Sequence, residues 1–292
     1  MAPSDELAAR LLGASGSAAQ WSAVAPGWAR QRAYVWDISR DVADRLVRSL
    51  DPQPGETILE LAAGPGDTGF SAASHLGPAG RLISTDVAPE MVAAAEERGR
   101  ELGLTNADYR VVDAQAIDLA DASIDGVVCR WGYMLVPDPG AALGETFRVL
   151  RPGGRVVFAV WAEATANPWG TAVGRALLER GLIEKPDADA PGPFRLGDAE
   201  RVRALVHAAG FIEPQIEDVP VSWRYESLDH FWAVTADLSF LLTAALGVLS
   251  PEVIAEVRAR VGEELDPYTD AAGGLALPGL CRNVLARKPV LS

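Results

Sequence analysis

Cysteine and histidine are scarce in this chain, with two of the first and three of the second among 292 residues. Metal-ligand spacing cannot be assembled from so few, and no metal site is expected. Cys129 and Cys281 lie in apolar, strand-like runs and read as buried free thiols, not as a disulfide framework. Basic residues are the minority charge: 26 Lys plus Arg against 40 Asp plus Glu give a net charge of −14. Such a surface repels phosphate backbones and anionic membranes, and no Lys/Arg run offsets it, which excludes nucleic acid as the expected partner. No stretch approaches the about eighteen consecutive apolar residues of a membrane-spanning helix, so no membrane insertion is expected. The segment from Met1 to Leu7 lacks the basic-then-apolar order of a secretory signal. A cytoplasmic protein is the expectation.

What is present is an ordinary core composition, 49% hydrophobic and 23% charged, enough for one large α/β unit with elaborations. The first fifty residues read as amphipathic helix, with Trp21, Trp28, Tyr34, Trp36, Val42 and Leu46 on apolar faces; Asp51-Pro-Gln-Pro-Gly55 stops the run. Short apolar runs then alternate with helical segments, the pattern of a parallel sheet flanked by helices. Strands are predicted at 57–62, 81–86, 109–113, 125–130 and 155–161. Beyond Trp161 the pattern loosens into a Pro-rich loop at 184–193, a helix capped by Asp198 and closed by Gly210, and a strand within 214–225. Two helical stretches follow, 229–249 and 251–265, the second capped by Ser250; 275–278 and 280–287 read as a closing hairpin or strand pair.

The expected organisation is an N-terminal helical segment (1–50), a cofactor-binding core (51–162), a loop, helix and strand completing the sheet (163–228), a helical cap insertion (229–266) and closing strands (267–292). The fold class is α/β: a Rossmann-like, mostly parallel seven-stranded sheet with helices on both faces, N-terminal helices and a helical cap.

Gly64, Gly66 and Gly69 satisfy G-x-G-x-x-G where the first strand turns into a helix. A sharp turn and a closely approaching ligand both need the missing Cβ, and the helix start offers N–H groups and partial positive charge. Asp86 ends the second strand 20 residues after Gly66, where a carboxylate accepts from both hydroxyls of a ribose. A nicotinamide dinucleotide satisfies both features as well as another adenosine cofactor does. Glu60, four residues before Gly64, separates them: an acid beside a pyrophosphate is unfavourable, whereas an amino group or a sulfonium benefits from it. Asp113, followed by Ala114, is placed for the exocyclic amine of an adenine. Three carboxylates at three successive strand ends suggest a cationic ligand.

Ile58-Leu-Glu-Leu-Ala-Ala-Gly-Pro-Gly66 resembles the first motif of class I S-adenosylmethionine-dependent methyltransferases, Thr85-Asp-Val-Ala-Pro-Glu-Met91 their second and Val112-Asp-Ala-Gln115 their third. Arg148-Val-Leu-Arg-Pro-Gly-Gly154 is similar to the signature that follows the core in small-molecule members, and the ubiquinone/menaquinone-biosynthesis type is the nearest within the superfamily. The resemblance covers about residues 54–162 in order and spacing. It implies S-adenosylmethionine as cofactor, with Glu60 organising the loop and the cofactor's amino group, and Ala62, Gly64 and Gly66 passing beside the methionine moiety. It further implies that Asp86 binds the ribose, Val87 and Met91 pack near the adenine, Asp113 and Ala114 hold its edge, and Arg130 borders the cofactor. Ala62 stands where the usual pattern has its first glycine.

Methyl transfer from a sulfonium requires positioning and exclusion of water, and a base only when the acceptor must lose a proton. Tyr133, just after the fourth strand, and His230, opening His-Phe-Trp232, are the residues placed for a catalytic role. Tyr34, Trp36, Trp131 and Tyr133 are the expected acceptor wall, and a small hydrophobic or aromatic molecule is the expected acceptor. The competing readings are an NAD-dependent oxidoreductase and a non-catalytic S-adenosylmethionine-binding regulator.

Overall fold

The computed structural model describes residues 5–7 and 18–290; the remainder of the predicted N-terminal helical segment lies outside the described residues. From residue 18 on, that segment is one long helix, α1 (Ala18–Leu50), with Pro26 inside it. Its last turns bury Val42, Leu46 and Leu50 in the main core.

The described residues then form β1 (Thr57–Glu60), α2 (Thr68–Ala73), β2 (Arg81–Asp86), α3 (Pro89–Glu101), β3 (Ala107–Val111), β4 (Ile124–Arg130), α4 (Pro139–Val149) and β5 (Leu150–Trp161). After them come α5 (Pro168–Glu179), α6 (Ala199–Ala208), β6 (Ile212–Tyr225), α7 (Leu228–Leu238), α8 (Phe240–Val248), α9 (Pro251–Leu265) and β7 (Leu275–Arg287). The strands make one seven-stranded sheet in the order β3-β2-β1-β4-β5-β7-β6. β1 to β5 run parallel, and β7 enters antiparallel between β5 and β6. Central strands buried on both faces read as unbroken apolar runs, which is what Val127-Val-Cys129 and Val156-Val-Phe-Ala-Val160 show. Strand order reverses between β1 and β4, and the crevice beyond the carboxyl ends of these two strands is where open α/β sheets bind ligands.

Three features differ from the sequence expectation. The stretch 229–249 is two helices, α7 and α8, because Ser239 is extended (φ −103°, ψ 115°) and its Oγ accepts from the Leu242 N–H at 3.3 Å. A serine cap restarts the helix at that point and the axis bends by 97°. The two closing runs are one strand, β7. Pro278 is tolerated because it pairs with Ser222 of β6 and lies before the stretch of β7 paired with β5, so its missing N–H leaves no second ladder incomplete. Finally, α5 was not anticipated; Pro168 at its start and the buried stripe Ala172, Val173, Ala176 and Leu177 are its sequence signal. Among the described residues, no single helix is long and apolar enough to cross a membrane.

Candidate active site

The turn after β1 is held by the buried carboxylate of Glu60. Oε1 accepts from the Gly69 N–H at 2.7 Å and Oε2 from the Ser84 hydroxyl at 2.9 Å. A Cβ on Gly69 would come within 2.2 Å of Oε2, so this glycine is required for packing on Glu60. Burial pushes the Glu60 carboxyl up to about 7, against these two hydrogen bonds and the nearby Arg130 guanidinium. Above it the chain is left-handed at Ala62 (φ 51°), Gly64 (56°), Gly66 (91°) and Asp67 (93°). A Cβ on Gly64 would meet nothing within 4 Å, so the open side of the turn lies there.

Asp86 is buried at the end of β2 and reaches the same turn. Its Oδ2 accepts from the Gly64 N–H at 2.9 Å and its Oδ1 from the Ala88 N–H at 3.0 Å. Burial raises its pKa in spite of these bonds; two further donors would favour the ionised form. Met91 and Ala88, at the start of α3, pack with Ala25, Trp21 and Trp28 of α1.

At the end of β4, Arg130 donates from Nε to Thr68 Oγ1 at 2.8 Å, bringing its guanidinium to the glycine turn. Its Nη1 is buried without a partner, and its Cζ lies 4.6 Å from the centroid of the Trp131 ring. Burial lowers the pKa of this guanidinium, opposed by the charges of Glu60 and Asp67. Trp131 is left-handed (φ 63°), a costly backbone for so bulky a side chain. It is fixed by its Nε1 donating to Cys281 Sγ at 3.3 Å and by stacking on Trp161 at 4.4 Å. The aromatic wall continues from Trp161 to Trp169 (4.7 Å) and Trp223 (6.1 Å). From Trp223 it reaches Tyr34 (6.2 Å) and Tyr225 (6.4 Å), and Tyr34 meets His230 at 5.5 Å.

α1 covers this ground. Arg32 Nη1 pairs with Asp67 Oδ1 at 3.0 Å, and Ser22 bonds Glu90. The same helix is tied to α7: Gln31 donates to Asp237 at 2.7 Å, and Trp28 Nε1 donates to the Leu238 carbonyl at 3.2 Å, one of the carbonyls at the end of α7. Gly27 permits the approach, since a Cβ there would lie 2.1 Å from the Asp237 carbonyl oxygen.

A family profile described as a methyltransferase domain matches residues 52–177. The chain is 32% identical over 185 residues to a ubiquinone/menaquinone biosynthesis C-methyltransferase of Caulobacter vibrioides, covering 58% of this chain and 72% of that protein. The chain belongs to the class I S-adenosylmethionine-dependent methyltransferases. It is also 37% identical over 201 residues to an arsenite methyltransferase of Halobacterium salinarum, a match over 68% of this chain that spans only 47% of that longer protein. Its fold is similar to that of the YcgJ protein of Bacillus subtilis, with a TM-score of 0.59, 15% identity, and 86% of this chain and 99% of that one covered.

The cofactor of the family is S-adenosylmethionine, and the cradle of this methyltransferase chain fits it. Gly64 leaves open space, Asp86 is a buried carboxylate bonded to that turn, Arg130 has an unsatisfied buried N–H, and the acids Glu60 and Asp67 lie at the same turn. The structure brings Glu60, Ala62, Gly64, Gly66, Asp86 and Arg130 around one turn; Val87 is half-buried, and Met91 is covered by α1. Asp113 does not end β3: the strand stops at Val111, and Asp113 is exposed two residues on, its carboxylate accepting from the Gln115 N–H at 2.9 Å. Ala114 next to it is half-buried.

Two expectations for the acceptor side are corrected. Tyr133 is 1% exposed, its hydroxyl is spent on Thr146 Oγ1 at 2.6 Å and its ring packs on Phe158 at 5.1 Å, so it is a core residue of β4, β5 and α4 without a free hydroxyl. Trp36 makes its ring contact with Arg40, one helical turn on, and is not part of the wall. Tyr34 and Trp131 do belong to it. His230 lies at its half-buried edge, with Nδ1 accepting from the Glu226 N–H at 3.1 Å. Sequence reasoning missed Arg32, Asp67, Trp223 and Tyr225. The last two were visible as the alternating buried set Val219, Val221, Trp223 and Tyr225 of β6.

Proposed function

We propose that this protein transfers a methyl group from S-adenosylmethionine to a small hydrophobic or aromatic acceptor held against the tryptophan wall. The observation that carries the reading is Asp86: a buried carboxylate at the carboxyl end of β2, bonded to Gly64 N–H, with the open side of the glycine turn next to it. When bound, S-adenosylmethionine supplies an activated methyl group on a sulfonium. Asp86 binds the ribose hydroxyls, Met91 and Val87 receive the adenine under Trp21 and Trp28, and Asp113 and Ala114 border its edge. Arg130 Nη1 takes the carboxylate of the methionine moiety, while Glu60 holds the turn through Gly69 and balances the positive charge above it. The acceptor lies beyond Arg130, along Trp131 and Trp161. α1 and the cap keep water out, so that catalysis rests on alignment and dehydration.

Two relatives are named for arsenite and for ubiquinone/menaquinone biosynthesis. Arsenite, a thiophilic acceptor, suits this site poorly: the chain's two cysteines are buried and their thiols are pushed up to about 12 by that burial. An organic, π-rich acceptor suits the wall.

Calorimetric titration with S-adenosylmethionine, S-adenosylhomocysteine and NAD tests the cofactor reading. Binding of the two sulfur cofactors is expected, weakened at least about tenfold by Asp86→Ala in a protein that still melts cooperatively. Tight NAD binding with none for S-adenosylmethionine would overturn it in favour of an oxidoreductase.

A further inference from the structure

Indole N–H groups that are buried nearly always find an acceptor. In this chain Trp28 donates to the Leu238 carbonyl, Trp131 to Cys281 and Trp169 to Asn167 Oδ1. Trp223 breaks the pattern: it is 4% exposed and its Nε1 has no partner. The ring cannot turn away to find one. It is stacked on Trp169 at 4.5 Å and 27°, and lies within 10° of parallel to Tyr225. Trp169 is itself pinned by Asn167, a fully buried amide. Asn167 Oδ1 accepts from Trp169 and from the Leu280 N–H, and its Nδ2 donates to the Glu163 and Leu280 carbonyls. On β7 the residue beside this edge is Gly279, where a Cβ would stand 3.3 Å from Asn167 Oδ1 and Trp169 Nε1 and 3.5 Å from Trp223 Cδ1, the carbon bonded to Nε1.

We infer that Trp223 is the specificity-determining donor of the acceptor site: its Nε1 hydrogen-bonds an oxygen, carbonyl or ionised hydroxyl, carried by a flat π-rich acceptor. The inference rests on the methyltransferase reading above and adds the acceptor's chemical class to it. Leaving a buried N–H unpaired costs stability, and a ligand oxygen removes that cost only when it reaches this edge. An isostere lacking the oxygen gains the ring contacts and leaves the N–H unpaired, so the site discriminates by the oxygen more sharply than by ring size. The wall connects this donor to the cofactor cradle through Trp161, Trp131 and Arg130.

The probes are 2-acetylnaphthalene, which carries a carbonyl, and 2-isopropylnaphthalene, its near-isostere without one. Their dissociation constants are measured by equilibrium dialysis on the full chain, with and without S-adenosylhomocysteine. The ketone is expected to bind about five- to tenfold more tightly than the hydrocarbon. Trp223→Phe, which keeps a six-membered aromatic ring and removes the pyrrole ring with its N–H, should bring the two within about twofold while leaving S-adenosylhomocysteine affinity unchanged. Equal binding of the two probes by the native protein, no binding of either, or a preference that survives Trp223→Phe would overturn the inference. Failure of S-adenosylhomocysteine to bind, with the probe preference intact, would instead overturn the cofactor reading.

Discussion

The methyl group of Ala62 occupies the space that a Cβ on Gly132 would enter: the two carbons would be 2.6 Å apart. Ala62 holds a left-handed backbone (φ 51°) that an L-residue adopts at a cost. Ala62→Gly is therefore expected to stabilise the protein by about 0.5–1 kcal/mol in urea unfolding. Gly132→Ala should destabilise it by about 1–3 kcal/mol, because the new methyl also meets Cys129 Sγ at 2.6 Å. Loss of stability in the first variant would show that the Ala62 methyl makes a contact worth more than the backbone cost.

Arg32 and Asp67 join α1 to the glycine turn, and both are largely buried, with side-chain exposures of 24% and 9%. Arg32→Ala leaves Asp67 buried without its counter-charge in a left-handed turn. A loss of about 1–3 kcal/mol is expected, together with weaker S-adenosylhomocysteine binding in calorimetry. Unchanged affinity would detach α1 from the cofactor site.

Glu60 gives a pH signature. Its carboxyl is raised by burial from 4.5 to about 7 in the folded protein, so the folded state holds a proton that the unfolded chain releases. The associated stability is fully present below about 4.5 and is lost as pH rises to about 7. Glu60→Gln removes this dependence. The stability of the variant relative to the native protein should rise by about 3 kcal/mol between those two pH values. Parallel stability–pH curves would contradict the raised carboxyl.

Tyr133→Phe separates core from chemistry. With its hydroxyl bonded to Thr146 inside the core, the variant should lose about 1 kcal/mol of stability and keep its cofactor affinity and transfer rate. A rate loss of more than about tenfold in a folded variant would restore Tyr133 to the site.

The cofactor half was legible because each feature is local. Glu60, Gly64, Gly66 and Asp86 stand at strand ends fixed by period and spacing, and the parallel strands bring those ends together automatically. The acceptor half was not. Tyr133 follows the same strand as Trp131 and differs from it only in which way the chain leaves β4, a direction set by the left-handed backbone at Trp131. The break at Ser239 was readable as a serine cap, yet the apolar run around it matches one long helix equally well.

The sequence by itself determined the order of β1 to β5 and the helices between them, the glycine turn, the strand-end carboxylates Glu60 and Asp86, and the excess of negative charge. These depend on residues near one another in the chain, where periodicity and turn chemistry act. Only the tertiary structure decided that Arg32 closes on Asp67, that Trp223 joins Trp131 and Trp161 in one wall, and that Tyr133 turns inward. Those contacts join residues 30 or more positions apart, or depend on a single backbone angle, and no local pattern encodes which of several buried aromatics will meet.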